Sequence, residues 1–243
     1  MDRPRPFLTA EWRHLAMLNF EIAGEVLEPL APPGTVIDTY KGTAYLSVLG
    51  LVFLDTRIKG VPIPFHRNFE EVNLRFYVRH LAGNEWRRGV VFIKEIVSSV
   101  AVATTARVAY NENYVVMEMG HRVEKVHDSD RLLVAYRWRL REKWNHLQAI
   151  AEGEAHIPAP GSFEEFITDH HWGYTRQRDG SCIEYQVEHP VWPVRHAAEY
   201  VFECDVAAMY GEQFAGALSV APGSAFIMDG SAVSVYPGRT CEV

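Results

Sequence analysis

The chain has 243 residues, and its formal net charge of −7 argues against nucleic-acid binding, which rests on clustered Lys and Arg that neutralise phosphates. Hydrophobic residues make up 48% of the sequence, which is ample for a sizeable core. The longest apolar run, residues 44–54, is interrupted by Ser47 and Gly50 and is shorter than the roughly 20 residues that a bilayer span requires, so we expect no membrane partner.

Strand signals dominate the first half of the chain. The predicted strands in this half are residues 12–20, 43–57, 69–81 and 88–97. Two helices are predicted here: residues 24–30, ended by Ala-Pro-Pro-Gly, and the Ala-rich stretch 101–110, which Ser98 and Ser99 precede as caps. The second helix is apolar on most sides, so we expect it to be buried.

The second half adds hairpins and short helices. Its predicted strands are residues 115–125, 131–140, 144–152, 172–177, 183–188, 198–204, a short strand around Phe226, and 233–236. Helices are predicted at 162–169, with Ser162 as its cap, and at 206–217. This inventory predicts a mainly β (α+β) fold, a curved or closed antiparallel β-barrel with a few peripheral helices. No linker or repeat divides residues 1–243, so we expect a single domain.

The three cysteines, Cys182, Cys204 and Cys241, are far apart in the sequence and odd in number. They fit neither a disulfide framework nor a zinc pattern, so we expect reduced, structural thiols. The first residues lack the apolar stretch and the small-residue cleavage site of a signal peptide. Both observations favour a soluble, cytoplasmic protein.

The segment 62–78, PIPFHRNFEEVNLRFYV, is the most informative part of the sequence. Strand side chains alternate between two faces, so one face of this strand is apolar. The other face carries Phe69, Glu71, Asn73, Arg75 and Tyr77. If that face lines a barrel or cleft, Asn73 and Arg75 orient a small carboxylate or carbonyl compound and Glu71 is a general base. The alternatives are a solvated sheet face and a cross-strand Glu–Arg network without a ligand.

Several motifs, in order along nearly the whole chain, resemble the YqjF-like family of uncharacterised bacterial proteins. They are FLTAEWRHLAMLNFEI, GTAYLSVLGLVFLDTR, IPFHRNFEEVNLRFYV, GVVFIKEIV, HHWGYT and VEHPVWPV. The family is grouped in the acetoacetate decarboxylase-like superfamily. The resemblance therefore implies a cone-shaped, mostly antiparallel β-barrel of acetoacetate decarboxylase-like type with a central pocket, and it implies no particular reaction.

The resemblance to the decarboxylases also implies roles for two residues. Phe69-Glu70-Glu71-Val72 is similar to the strand that carries their catalytic glutamate, which places Glu71 at that position. Arg107 stands for an arginine of their active-site helix. The lysine pair that supplies their Schiff-base amine has no counterpart here, so that mechanism is not carried over.

Lys94, within Phe92-Ile93-Lys94-Glu95-Ile96, is a second catalytic candidate because an amine buried in a barrel strand has a lowered pKa. The alternatives are that Lys94 and Glu95 lie at the exposed end of the strand, or that Lys94 pairs with a carboxylate such as Glu71. Near the helix that carries Arg107, the residues Asn111 and Glu112 are candidates for completing an anion site. Helix capping and loop hydrogen bonds would explain them equally well.

The motifs HHWGYT and VEHPVWPV add Tyr174 and His189 as substrate-binding candidates, although His189 before Pro190 is also suited to fixing a strand end. The chain has 11 histidines, yet it contains no His-x-His pair, no HExxH motif and no known zinc spacing. We therefore predict no metal and no cofactor.

The leading hypothesis is an enzyme that acts on a keto acid or related carbonyl compound, with Glu71 as acid/base. Arg75 and Arg107 would hold the anion, and Lys94 would be an electrostatic partner. A non-catalytic protein that binds an organic acid or apolar metabolite is the alternative. A vestigial barrel, with Glu71 and Arg75 paired in a filled interior, is a third. The expected partner is a small molecule, and a homo-oligomer is compatible with the sequence.

Overall fold

The computed structural model describes residues 4–64, 66–104, 111–125 and 130–241, and strands predominate in them. The strands, in chain order, are β1 (Leu8–Ile22), β2 (Thr35–Ile37), β3 (Ala44–Ile58), β4 (Val61–Pro62), β5 (Phe69–Ala82), β6 (Glu85–Val97), β7 (Tyr114–Val116), β8 (Met119–Lys125), β9 (Arg131–Leu140), β10 (Lys143–Glu152), β11 (Trp172–Arg176), β12 (Cys182–Glu188), β13 (Val194–Glu203), β14 (Ser224–Val235) and β15 (Arg239–Thr240). The helices are α1 (Gly24–Leu27), α2 (described over residues 100–104), α3 (Phe163–Thr168), α4 (Val206–Tyr210) and α5 (Ala215–Leu218), with 3-10 turns at Glu28–Leu30 and Glu212–Phe214. The predicted mainly β fold with short helices is confirmed.

Seven strands form a hydrogen-bonded ring. Their order is β12-β11-β6-β5-β3-β1-β14, and a short pairing of β12 with β14 closes the ring. Neighbours in the ring are antiparallel except β6 and β11, which are parallel. A ring of this kind has an inner face and an outer face, and strand residues alternate between them.

A second layer covers part of the outer face. β14 also pairs with β13, and the sheet continues through β10 and β9 to β8. Side chains of this layer and of the ring share one buried cluster, which includes Leu18, Val48 and Leu74 from the ring and Trp138 and Leu147 from the layer. β3 therefore has packing on both faces, and this explains why its sequence reads as a continuous apolar run and not as an alternating one.

The helix α3 packs against the inner face of the ring. The hydroxyl of Ser162 accepts a hydrogen bond from the backbone N–H of Glu165 at 3.2 Å, so the predicted cap is in place. Phe166 and Ile167 of α3 join the inner cluster of apolar residues, where Phe166 lies 5.5 Å from the ring of Tyr77.

Two predicted elements are divided in the structure. The single strand predicted at 115–125 is two strands, because β7 pairs in parallel with β6 whereas β8 pairs with β9. The helix predicted at 206–217 is interrupted at Gly211, whose φ of 113° lies outside the helical region. Of the helix predicted at 101–110, residues 105–110 lie outside the described part of the chain.

The prediction of three reduced cysteines is wrong for two of them. The short strand β15 pairs with β12, and this brings the Cα atoms of Cys182 and Cys241 to 5.4 Å, where they form a disulfide. Cys204 is a free thiol. The pairing of β12 with β15 links positions 59 residues apart, and spacing along the chain gives no sign of it. Among the described residues, no helix has the length and apolar character that crossing a membrane requires.

Candidate functional site

The inner face of the ring encloses a cavity of about 130 Å³. Its walls are mainly apolar and aromatic, with Trp12, Phe53, Phe92 and Trp192 among them. An engineered apolar cavity of about 150 Å³ in another protein admits benzene, so the space here suits a small organic molecule. A few polar groups interrupt the apolar wall, which is the composition typical of ligand sites.

Glu71, near the start of β5, is the first of three polar residues of this strand that line the cavity. It faces the cavity with 3% of its surface exposed, and the register pairs it with Leu51 of β3. The Asn73 amide donates a hydrogen bond to Glu71 Oε1 at 2.8 Å, and the Tyr114 hydroxyl donates one to Oε2 at 3.3 Å. Burial raises the pKa of Glu71 to about 7, and these two hydrogen bonds and the charge of Arg75 oppose the rise.

Glu112 is a second buried carboxyl at the cavity. Its Oε1 accepts hydrogen bonds from the Thr175 hydroxyl at 2.5 Å and from the Tyr185 hydroxyl at 2.9 Å. Burial raises the pKa of Glu112 to about 7, and the charge of Glu71 adds to this effect. The two carboxyls therefore titrate near neutral pH.

Glu95, on β6, is the third carboxyl at the cavity. It lies opposite Asn73 in the β5–β6 register and is 2% exposed. Burial, followed by the charges of Glu112 and Glu71, raises the pKa of Glu95 well above its ordinary value. Three carboxyls so close together cannot all ionise in an apolar cavity, because the charged forms are poorly solvated and repel one another.

Arg75 also lies at the cavity, two positions after Asn73 on β5. It is 8% exposed, and among the described residues its Nε has no hydrogen-bond partner and the guanidinium takes part in no ion pair. The guanidinium carbon lies 5.7 Å from the centre of the Tyr77 ring. A buried cation without a hydrogen-bonded anion is a costly arrangement, and it marks Arg75 as a group suited to an anionic ligand.

Histidine and tryptophan form the wall on the side of the HHWGYT and VEHPVWPV motifs. The rings of His189 and Trp192 stack at 4.1 Å, and both residues line the cavity together with His170. Burial lowers the pKa of His189 and lowers the pKa of His170 well below the ordinary value. Both imidazoles are therefore neutral at neutral pH and add no charge to the wall.

Five of the predicted site residues line this cavity: Glu71, Asn73, Arg75, Glu112 and His189. The face of β5 that the alternation singled out is the inner face of the ring. Arg107 lies outside the described residues.

Lys94 does not join this group. Ile93 is an extra residue in β6, because Leu74 pairs with Lys94 whereas the next residue, Arg75, pairs with Phe92. Such a β-bulge interrupts the alternation of faces, so Phe92 and Glu95 point inward and Lys94 points outward. The Lys94 ammonium donates a hydrogen bond to the Met209 carbonyl, and burial lowers its pKa. The prediction that Lys94 accompanies Glu71 is therefore corrected.

Asn111 and Tyr174 also lie away from the cavity. The Asn111 amide donates a hydrogen bond to the Arg176 carbonyl at 3.1 Å, which is the loop role given as the alternative. Tyr174 is fully buried on the outer side of the ring, where it packs over Gly89 of β6. Its neighbours on β11, Gly173 and Thr175, face inward instead.

The sequence reading missed several residues that line the cavity or bond to its carboxyls: Glu95, Tyr114, His170, Thr175 and Tyr185. Gly173 and Thr175 share the inner face of β11, and Tyr174 between them lies on the outer face. The two-residue period of a strand, applied to HHWGYT, would have predicted that Thr175 and Tyr174 lie on opposite faces. Glu95 carried no such sign, because the bulge at Ile93 reverses the alternation just before it.

The fold is of the acetoacetate decarboxylase-like type. MppR, an enduracididine biosynthesis enzyme solved with pyruvate, superimposes with a TM-score of 0.67 at 12% identity, over 100% of this chain and 92% of MppR. Acetoacetate decarboxylase from Legionella pneumophila gives a TM-score of 0.66 at 10% identity, again over 100% and 92%. An acetoacetate decarboxylase-like enzyme from Sphingomonas wittichii gives 0.68 at 10% identity, over 97% and 92%.

The sequence assigns the chain to a narrower group than the fold does. The DUF2071 family, described as "Uncharacterized conserved protein (COG2071)", matches residues 9–231, and the chain belongs to this family. The uncharacterized protein YqjF of Bacillus subtilis (strain 168) is 33% identical over 70 residues, which are 28% of this chain and 29% of YqjF. The match thus spans less than a third of that relative. The predicted YqjF-like resemblance is confirmed.

Proposed function

We propose that the protein is an enzyme that binds a small keto acid, or a related carbonyl compound, in the central cavity and transfers a proton at the carbon beside the carbonyl. The observation that carries the proposal is the Arg75 guanidinium, which is buried at the cavity and paired with no described carboxylate. The carboxylate of a keto acid would supply the missing anion through a two-pronged pair of hydrogen bonds.

The neighbouring carboxyls are compatible with an anionic ligand because burial favours their neutral forms. Burial, with the charges of Glu112 and Glu71, raises the pKa of Glu95 well above its ordinary value, so the neutral form is favoured. In that form Glu95 is suited to donate a hydrogen bond to the substrate carbonyl as negative charge develops there. Glu71, with a pKa of about 7, is partly ionised and is the proposed base. Arg75 and the ligand carboxylate then neutralise each other.

Two named neighbours support the substrate class. MppR was solved with pyruvate, a small keto acid, and the acetoacetate decarboxylase is named for another keto acid. No lysine is among the described residues that line the cavity here. The proposed chemistry therefore relies on proton transfer by carboxyls and needs no amine nucleophile.

A non-catalytic binding protein is the second candidate. The same Arg75 anchor and the mainly apolar wall would hold an organic acid without turning it over, and the lack of a lysine at the described wall suits this role equally. The two candidates differ in whether the ligand's protons exchange.

The test combines binding and turnover on the same samples. Thermal unfolding is followed with increasing pyruvate, 2-oxobutyrate and acetoacetate, and proton NMR in D₂O follows deuterium exchange into pyruvate C3. We expect a dose-dependent rise in melting temperature and faster exchange than in buffer. Arg75→Gln should lose the rise, whereas Glu71→Gln should keep it and slow exchange by about 100-fold or more, the usual contribution of a general base.

The matched control is Lys94→Gln, which changes a charged residue on the outer face of the neighbouring strand and should alter neither readout. Exchange by the wild-type protein should increase with pH through about 7, because Glu71 acts in its ionised form. Binding without exchange would select the second candidate. An unchanged melting temperature with every keto acid would contradict both the anchor and the substrate class.

A further inference from the structure

A second group of ligand-type side chains lies apart from the cavity, where α3 meets β13. It consists of His156, Glu164 and His196, called here the His–Glu–His cluster. None of the three residues lines the central cavity. The proposed keto acid chemistry therefore leaves this cluster without a role.

The three side chains converge on one point. His156 Nε2 lies 3.2 Å from Glu164 Oε1, and His196 Nε2 contacts the same carboxylate oxygen. The ligand atoms all lie within 4.8 Å of one another. The two imidazole rings are nearly parallel, with an interplanar angle of 7° and centres 5.6 Å apart. Zinc bonds of 2.0–2.1 Å at a tetrahedral angle separate ligand atoms by about 3.3 Å, so only small side-chain movements are needed.

The backbone holds each member in place independently of the cluster. His156 forms a two-way β-bridge with Val194, with N···O distances of 3.0 and 2.8 Å. His196 lies two residues later on β13, and its ring packs edge-to-face with the ring of Phe226, with the ring centres 5.2 Å apart. Glu164 is in the first turn of α3, which the Ser162 cap fixes. A site whose ligands are held by the scaffold loses little freedom when an ion binds.

We propose that the His–Glu–His cluster is a binding site for a divalent transition-metal ion of the Zn²⁺ class. Two imidazole nitrogens and one carboxylate oxygen form a donor set that such ions prefer over Mg²⁺ or Ca²⁺. The His side chains are 49% and 60% exposed while that of Glu164 is 17% exposed, so water has access to the remaining coordination positions.

The consequence of binding is mechanical. Glu164 belongs to α3, whose Phe166 and Ile167 pack into the inner face of the ring, and the two histidines belong to β13 and the segment before α3. The ion would fasten α3 to the neighbouring sheet. Because it binds the folded protein, it should raise the melting temperature.

The experiment starts from full-length protein stripped with EDTA and carrying no His-tag. Zn²⁺ is titrated by calorimetry, and Co²⁺ is titrated with visible spectroscopy, in which four-coordinate binding gives d–d bands much stronger than those of the hydrated ion. We expect one tight ion per chain and a higher melting temperature in Zn²⁺. His196→Ala and Glu164→Gln should each weaken Zn²⁺ binding at least tenfold and abolish the Co²⁺ bands.

The matched control is His146→Ala on β10, which removes a histidine outside the cluster and should bind Zn²⁺ as the wild type does. Melting temperatures in EDTA establish that the variants fold, and His196→Gln is used if His196→Ala does not. Equal Zn²⁺ affinity in the wild type and His196→Ala would overturn the proposal, since the binding would then reflect scattered surface histidines. Loss of the cluster should leave keto acid binding at Arg75 intact, so the two proposals are tested separately.

Discussion

Glu71, Asn73 and Arg75 occupy every second position of β5, and their shared face was predictable from this alternation alone. What the alternation left open was whether the face meets a cavity or water, because that depends on how seven strands from distant parts of the chain close into a ring. Lys94 lies on the outer face of β6 and Glu95 on the inner face, because one extra residue, Ile93, bulges from the strand. A single-residue bulge has no sequence signature here, so this half of the site was not predictable.

Glu112 provides a test of the buried carboxyls at the same scale. Its pKa rises from 4.5 to about 7 on folding, so between these pH values the folded protein binds more protons than the unfolded chain. The free energy of unfolding therefore falls as pH rises through this window, by about 3 kcal/mol at 1.36 kcal/mol per pKa unit. Glu112→Gln should remove this loss, because the amide oxygen still accepts from Thr175 and Tyr185.

Urea unfolding from pH 4.5 to pH 8 gives the measurement. The variant should match the wild type at the acidic end and exceed it at pH 8. Glu142→Gln, in the exposed turn between β9 and β10, is the control and should follow the wild type throughout. A wild-type stability that rises between pH 5 and 7 with no difference in Glu112→Gln would contradict the assignment.

At the scale of elements, alternation of apolar and polar residues predicted the strands that have one apolar face. The burial of β3 on both of its faces was harder to predict. The run at 44–54 is buried between the cavity and the second layer, which is unusual for an antiparallel strand. The second layer approaches β3 closely at Gly50, since a Cβ atom there would lie 2.3 Å from Cδ2 of Tyr136. The Tyr136 hydroxyl donates to the His14 carbonyl at 2.6 Å, so the ring is not free to move aside.

Gly50→Ala should therefore destabilise the protein by about 1–3 kcal/mol, the usual cost of overpacking a core. Gly216→Ala is the matched comparison. This position is helical and has open space around its Cβ, and the same change should stabilise the protein by up to about 1 kcal/mol. The denaturant concentration at the unfolding midpoint should therefore fall for Gly50→Ala and rise for Gly216→Ala. Equal effects of the two substitutions would rule out a steric role for Tyr136.

At the scale of the whole molecule, a disulfide bond joins Cys241, the last described residue, to β12. The Cys182–Cys241 disulfide closes a loop of 59 residues between β12 and β15. A loop of this length stabilises a fold by about 4 kcal/mol in the chain-entropy treatment. Dithiothreitol should therefore lower the melting temperature of the wild type.

Cys182→Ser should show the lower melting temperature from the start and should not respond to dithiothreitol. Cys204→Ala, which removes the free thiol, should respond as the wild type does. A melting temperature of the wild type that is the same with and without reductant would show that the two sulfurs are not joined in solution.

The pairing of β1 with β14 sets the order of events when the chain is made. Leu8 lies opposite Val235 in the register of these two strands, so one side of the ring joins strands more than 200 residues apart. Contacts of such long separation form slowly and late. During translation, the edge of β1 that pairs with β14 stays unpaired until β14 leaves the ribosome. Until then the apolar inner face of β1 is uncovered. The cavity that holds Glu71 and Arg75 therefore cannot exist on a nascent chain, and we expect newly made copies to depend on chaperones until the ring closes.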